Sequence, residues 1–126
     1  MRTRVMATGM QPTRTTRAFA LQRVNAILGR HVDDLEHADV FLEDVNGPKG
    51  GRDMSVRVRA RLRGGRIVTV EETRENLHAA IAHASKRTAF AVRRAVEEAR
   101  RIDRRGGRRA RRGGIVDPMD EALGLA

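Results

Sequence analysis

From Met54 to Arg63 the chain alternates apolar and polar positions without a break. Met54, Val56, Val58, Ala60 and Leu62 lie on one side, and Ser55, Arg57, Arg59, Arg61 and Arg63 on the other. Successive strand residues point to opposite faces, so the pattern predicts a half-buried strand with a row of guanidinium groups on its outer face. Along a strand such a row repeats every ~6.6–6.8 Å, comparable to the spacing of phosphates in a nucleic-acid strand. Gly64-Gly65 closes a tight hairpin into a strand over Ile67 to Glu72. That last strand has two open registers, with either Ile67 and Thr69 or Val68 and Val70 toward the core. Upstream, Ala38 to Asn46 alternates Val40 and Leu42 against Asp39, Phe41 and Glu43. Asn46-Gly47-Pro48-Lys49-Gly50-Gly51 is turn chemistry that joins it to Met54 as a hairpin with a longer loop. Arg2 to Thr8 predicts a short first strand with Val5 and Ala7 on one side.

Two segments carry helical spacing instead. Between Arg14 and Leu28 the apolar positions Ala18, Leu21, Val24 and Leu28 form a stripe widened by Ala20 and Ile27. Thr13, Thr15 or Thr16 is available as N-cap, and Gly29 suits the position after a helix end. Phe19, Arg23 and, just beyond, Arg30 fall on the opposite face. The second helix opens after Asn76, a candidate cap. Its stripe is Leu77, Ala80, Ile81, Ala84, Thr88, Val92, Ala95, Ala99 and Ile102, rich enough in alanine to predict close packing. Lys86, Arg87, Phe90, Arg93, Arg94, Glu97, Arg100 and Arg101 occupy its outer side. The expected fold is therefore α+β: a two-layer β-α-β-β-β-α arrangement with a four-stranded sheet and both helices on one face.

The domain is expected to span residues 1–103. After Asp103 the run from Arg104 to Gly114 has six arginines and no apolar period, so residues 104–126 read as a disordered Arg/Gly-rich tail with a short acidic end.

Charge changes the picture most. The chain of 126 residues has 26 basic and 16 acidic residues, a formal net charge of +10. Lys49 and Lys86 are its only lysines, so nearly all of that charge is arginine, whose planar fork matches phosphate oxygens. Such a domain is an electrostatic footprint for nucleic acid, a membrane surface or an acidic protein. The absence of cysteine excludes disulfides and cysteine-based zinc sites and is compatible with a cytosolic protein. Met1 to Gln11 holds no apolar signal-peptide core, and no apolar run approaches the roughly 20 residues of a membrane span. Phe19, Phe41 and Phe90 are the only aromatics, which disfavours a stacking platform of several rings.

Catalytic constellations are absent from the pattern. His31 and His37 sit near Asp33, Asp34 and Glu36 in a spacing that matches no standard ligand set, and a polar linker accounts for them. His78 and His83 stand about 140° apart around a helix, which forbids a shared metal. Lys49 lies in a glycine-rich turn, but the phosphate-loop motif is missing and the turn joins two strands. No serine or histidine arrangement suggests a nucleophile, so an enzyme is not expected, nor a metal, a cofactor or a small-molecule substrate. The arginine row has two readings. Glu43, Glu71 or Glu72 pairs with it, or it serves as a basic surface. Phe19 and Phe90 either meet between the helices or stack on bases.

Several stretches together resemble the bacterial hibernation-promoting factor and ribosome-associated inhibitor family. They are Val40-Phe41-Leu42-Glu43, Asn46-Gly47-Pro48-Lys49-Gly50-Gly51-Arg52-Asp53, the alternating strand with its glycine hairpin, and Glu75-Asn76-Leu77-His78-Ala79-Ala80-Ile81. His78 stands where that family usually has tyrosine, Ala82 where it has aspartate, and Phe90 in a stretch that tends to be charged. The resemblance implies a cytoplasmic protein of the stress response that binds the small ribosomal subunit through its rRNA. Such a protein inhibits translation by occupying the decoding region. It places the rRNA contact on Lys86, Arg87, Arg93 and Arg94 of the second helix, with Arg23 and Arg30 at the first. Arg57, Arg59, Arg61 and Arg63 become a secondary basic surface. The chain looks like a short type, without the C-terminal dimerisation domain of long members. The alternative is a generic basic double-stranded RNA- or DNA-binding protein with no ribosomal target.

Overall fold

Burial of one side of the alternating strand sets the layering. A computed structural model describes residues 2–45 and 53–106. Its elements are β1 (Arg2–Thr8), α1 (Arg14–Leu28), a 3-10 turn (Gly29–His31), β2 (Leu35–Asp44), β3 (Met54–Leu62), β4 (Ile67–Arg74) and α2 (Leu77–Gly106). The sheet order is β1-β2-β3-β4, with β1 parallel to β2 and the other pairs antiparallel. This is the expected α+β order with a mixed sheet. The glycine-rich turn over 46–51 and the tail from residue 107 lie outside the described residues.

The core is the seam between the sheet and the helices. Val56, Val58, Ala60 and Leu62 are buried beside Val40 and Leu42, under Val24 and Leu28 of α1 and Ile81, Ala84 and Val92 of α2. Thr13 caps α1 by accepting from the Thr16 backbone N–H at 3.0 Å. Asn76 caps α2 by accepting from Ala79 N–H at 2.9 Å. Gly29 does not use the left-handed freedom of a helix-stopping glycine. Its φ is −59°, and the helix tightens into the 3-10 turn.

Four sequence expectations need correction. On α1 the buried line is Ala20, Val24 and Leu28, while Ala18 is exposed and Phe19 packs partly against the core. On α2 the stripe also takes in Ser85 and Val96, and it ends before Ile102, which is 49% exposed. There α2 has run past the sheet and continues in helical form through Arg104 and Arg105. Strand β2 begins at Leu35 rather than Ala38. Leu35 pairs with Leu62 and His37 with Arg61, so Glu36 is the extra residue of a β-bulge. The bulge turns Leu35 into the core, and it breaks the alternation that would have announced a strand.

The open register of β4 is settled by the hairpin. Leu62 N–H donates to Arg66 C=O at 2.8 Å, so the loop is Arg63, Gly64 and Gly65, with φ of 95° and 99° at the two glycines. Val68 then lies opposite Ala60, Val70 opposite Val58 and Glu72 opposite Val56, all on the helix side. Arg63 is held out of the ladder by Asp34 C=O, 2.9 Å from its N–H, and by Asp33 C=O, 2.6 Å from its Nε.

Ile81 is fully buried and Ile102 is half exposed at an equivalent place on the sequence stripe. Ile81→Ala should cost about 2–5 kcal/mol in denaturant unfolding. Ile102→Ala should stay within about 0.5 kcal/mol of the parent. Equal losses would contradict the end of the stripe drawn here.

Candidate nucleic-acid interface

Helical spacing divides the outer surface of α2 into two lines. Lys86, Phe90 and Arg93, at i, i+4 and i+7, look toward α1, whereas Arg87 looks toward β4. Where the first line meets the end of α1 a groove of about 570 Å³ opens. Ala26, Ile27 and Ala89 give it a small apolar lining; Arg30, His31, Lys86 and Arg93 supply the polar groups. Among the described residues no carboxylate lines it. Two acids stand beside its basic groups, Glu97 at 4.0 Å from Arg93 and Asp34 at 4.0 Å from His31, the first an exposed pair of little energetic weight. Phe90 stands in the same groove, 53% exposed, with the Arg93 guanidinium carbon 5.5 Å from its ring centroid.

The groove thus brings together three of the six residues expected to contact rRNA: Arg30, Lys86 and Arg93. Arg23 and Arg94 are exposed on the same two helices but do not line it. Arg87 is committed elsewhere. Its Nη1 donates to Glu72 Oε2 at 2.6 Å and to the Glu71 carbonyl at 2.7 Å. Glu72 also accepts two bonds from Arg74, at 3.0 and 2.9 Å. The hydrogen bond from Arg87, then that from Arg74, holds the Glu72 carboxyl below the usual glutamate range. This strut between β4 and α2 was invisible from the sequence, because Glu72 faces the helices only in the register that the three-residue loop imposes.

The arginine row of β3 lies on the other side of the sheet, away from the groove. There it meets acids of β2. Arg61 lies 3.0 Å from Glu36, Arg59 pairs in register with Asp39, and Arg57 covers the Phe41 ring at 4.8 Å. Asp39 is nearly buried and also takes Arg4 at 3.0 Å from the edge strand. Glu71 stands opposite Arg57 in β4. Of the acids expected to offset the row, Glu72 is on the wrong face. Glu36 and Asp39 take its place, so Arg59 and Arg61 belong to a mixed-charge surface.

Phe19 and Phe90 do not meet. Phe19 stacks on His78, with centroids 4.5 Å apart and planes 7° from parallel, and Thr16 Oγ1 lies 3.1 Å from His78 Nε2. The histidine thereby keeps a flat ring at the position where the resemblance called for tyrosine. At the far end of α1, Arg100 reaches Asp34 at 3.4 Å, tying the turn before β2 to α2. Among the described residues no cluster of histidine, aspartate and glutamate could hold a metal ion, and no helix is long and apolar enough to cross a membrane.

Fold and groove together define an α+β domain that carries a basic helical layer on a four-stranded sheet. Residues 4–100 match the family described as sigma 54 modulation protein / S30EA ribosomal protein, and the chain belongs to this hibernation-promoting factor family of ribosome-associated proteins. A solved structure of the Thermus thermophilus Protein Y N-terminal domain is similar, with 25% identity and a TM-score of 0.58. It covers 72% of this chain and 93% of its own. A ribosomal subunit interface protein from Coxiella burnetii shares the fold at 9% identity and a TM-score of 0.62, covering 76% of this chain and 99% of its own. No curated protein matches the chain at a significant level.

The Glu72 strut predicts a pH signature. A carboxyl held below its ordinary range in the folded state contributes stability that is present above its unfolded value and lost as the pH falls through the folded one. Glu72→Gln should therefore melt below the parent above about pH 5, and the gap should close as the pH drops below about 4. Thermal melts across that range read it directly. A gap independent of pH would show that the charge of Glu72 does not matter.

Proposed function

We propose that this chain binds the small ribosomal subunit through its rRNA and inhibits translation by occupying the decoding region, as a cytoplasmic hibernation factor. The observation that carries the reading is the groove between α1 and α2. Arg30, Lys86 and Arg93 converge there without a lining carboxylate, in a chain whose family is ribosome-associated. Cations gathered in a concave site focus the field and attract a phosphate chain more strongly than the same charges dispersed. Release of counterions from the phosphates supplies affinity, and the shape of the cleft supplies selectivity. Arg23 and Arg94 extend the same basic side. In this reading Arg87 contributes mainly by bracing α2 on β4, and the sheet arginines Arg57, Arg59 and Arg61, with Arg63 of the loop, play a supporting part. No metal, cofactor, membrane or small-molecule substrate enters the mechanism.

The test is reversal of the groove. A variant with Arg30→Glu, Lys86→Glu and Arg93→Glu should no longer co-sediment with small subunits in a density gradient. Neutralising the three positions instead should lower the slope of log affinity against log salt by about 3. Reversing Arg57 and Arg59 should have a smaller effect. Co-sedimentation unchanged in the groove variant would overturn the site. Equal affinity for any RNA or DNA duplex would favour a generic nucleic-acid binder over a ribosomal one.

A further inference from the structure

The chain has three phenylalanines and neither tyrosine nor tryptophan, and they differ in how far their rings are covered. Phe19 is stacked on His78, and Phe41 lies under Arg57. Phe90 alone is left more than half exposed, and it stands inside the cation-lined groove rather than on an open surface. A lone exposed phenylalanine on a convex surface would need no explanation. Placed among Arg30, Lys86 and Arg93, with Ala26, Ile27 and Ala89 beside it, it completes an arrangement suited to a nucleotide. The ring offers a face for a base, and the cations offer partners for its phosphates.

We propose that Phe90 stacks on an unpaired base of the bound RNA, so that the groove selects single-stranded nucleotides over duplex. The inference rests on the groove being the RNA-binding site and adds what the groove recognises. Its volume, about 570 Å³, lies in the range of sites that enclose small ligands and admits a nucleotide. A base inside a duplex has its faces covered by its neighbours, so only an unpaired or splayed base can reach the ring. Arg93, whose side chain is 60% exposed, is free to leave the ring for a phosphate or to extend the stack from its other side. Basic residues alone would accept any phosphate chain; the ring is what tells a single strand from a duplex.

The chain contains neither tryptophan nor tyrosine, so Phe90→Trp places a single reporter in the groove. Its emission should be quenched by small ribosomal subunits and by a short single-stranded oligoribonucleotide, and left unchanged by the corresponding duplex. Phe90→Leu should weaken binding of the oligoribonucleotide about 5- to 150-fold, with Phe90→Tyr close to the parent. Thermal melts of all three should match the parent, because the side chain is largely outside the core. Equal quenching by single strand and duplex would overturn the proposal, as would unquenched emission from protein bound to subunits. So would quenching by subunit proteins freed of RNA. If the groove reversal abolishes binding while Phe90→Leu does not, stacking falls and the groove reading stands. If the groove reversal is silent, the underlying site is wrong.

Discussion

The structure depends on one-sided burial of β3. Val56, Val58, Ala60 and Leu62 are removed from water by the helices, and each buried valine or leucine contributes about 1.5–3 kcal/mol relative to exposure. A strand cannot bury this side without presenting the other, so Arg57, Arg59 and Arg61 are committed to the open face of the sheet. The helices, pressed against the apolar side, carry their own cations outward on the opposite surface of the molecule. One alternation thus sorts the positive charge of the chain into two populations.

What separates the populations is the placement of the acids. Glu36 and Asp39 sit among the sheet arginines, and Glu72 takes up Arg87 and Arg74 at the far edge. Pairs such as these, exposed on at least one side, add little stability, but each cancels the field of a cation at short range. Among the described residues the groove between α1 and α2 has no lining acid, and of its three cations only Arg93 has an acid within 4.0 Å, the exposed Glu97. Counting basic residues in the sequence overestimates the sheet face, where acids stand among the arginines, and underestimates the groove with its two arginines and one lysine.

Element order and the core face of β3 were legible in the sequence because they follow from local periodicity. The register of β4, which the sequence left open, and the start of β2, which it misplaced, have a shared cause in single-residue register. Had Gly64-Gly65 alone formed the loop, Ile67 and Thr69 would have faced the helices. The structure recruits Arg63 into the loop through the carbonyls of Asp33 and Asp34, some 30 residues away, and the register shifts by one. At Glu36 a bulge inserts one residue and makes a strand read as a linker. Neither event leaves a periodic trace. The site was legible only in part for the same reason. Lys86 and Arg93 could be placed on an outer helix face from spacing, but the separation of Arg87 from them depends on where Glu72 points.

The groove owes its existence to an asymmetry in the seam between the helices. Phe19 meets His78, while Ala26 to Arg30 face Lys86 to Arg93, so α1 and α2 run side by side in the same direction. Toward their N-terminal ends two stacked rings bridge them. Further along, the facing residues shrink to Ala26 and Ala89, and the chain leaves α1 through the tight turn at Gly29–His31. The side chains there are too small to close the gap, and the long ones beside it, Arg30, Lys86 and Arg93, are charged and avoid burial. The seam opens where alanines face each other, and the larger residues around that opening, the cations and the half-exposed Phe90 ring, do not fill it. The groove is therefore a product of the fold itself, set by which side chains meet along a pair of packed helices.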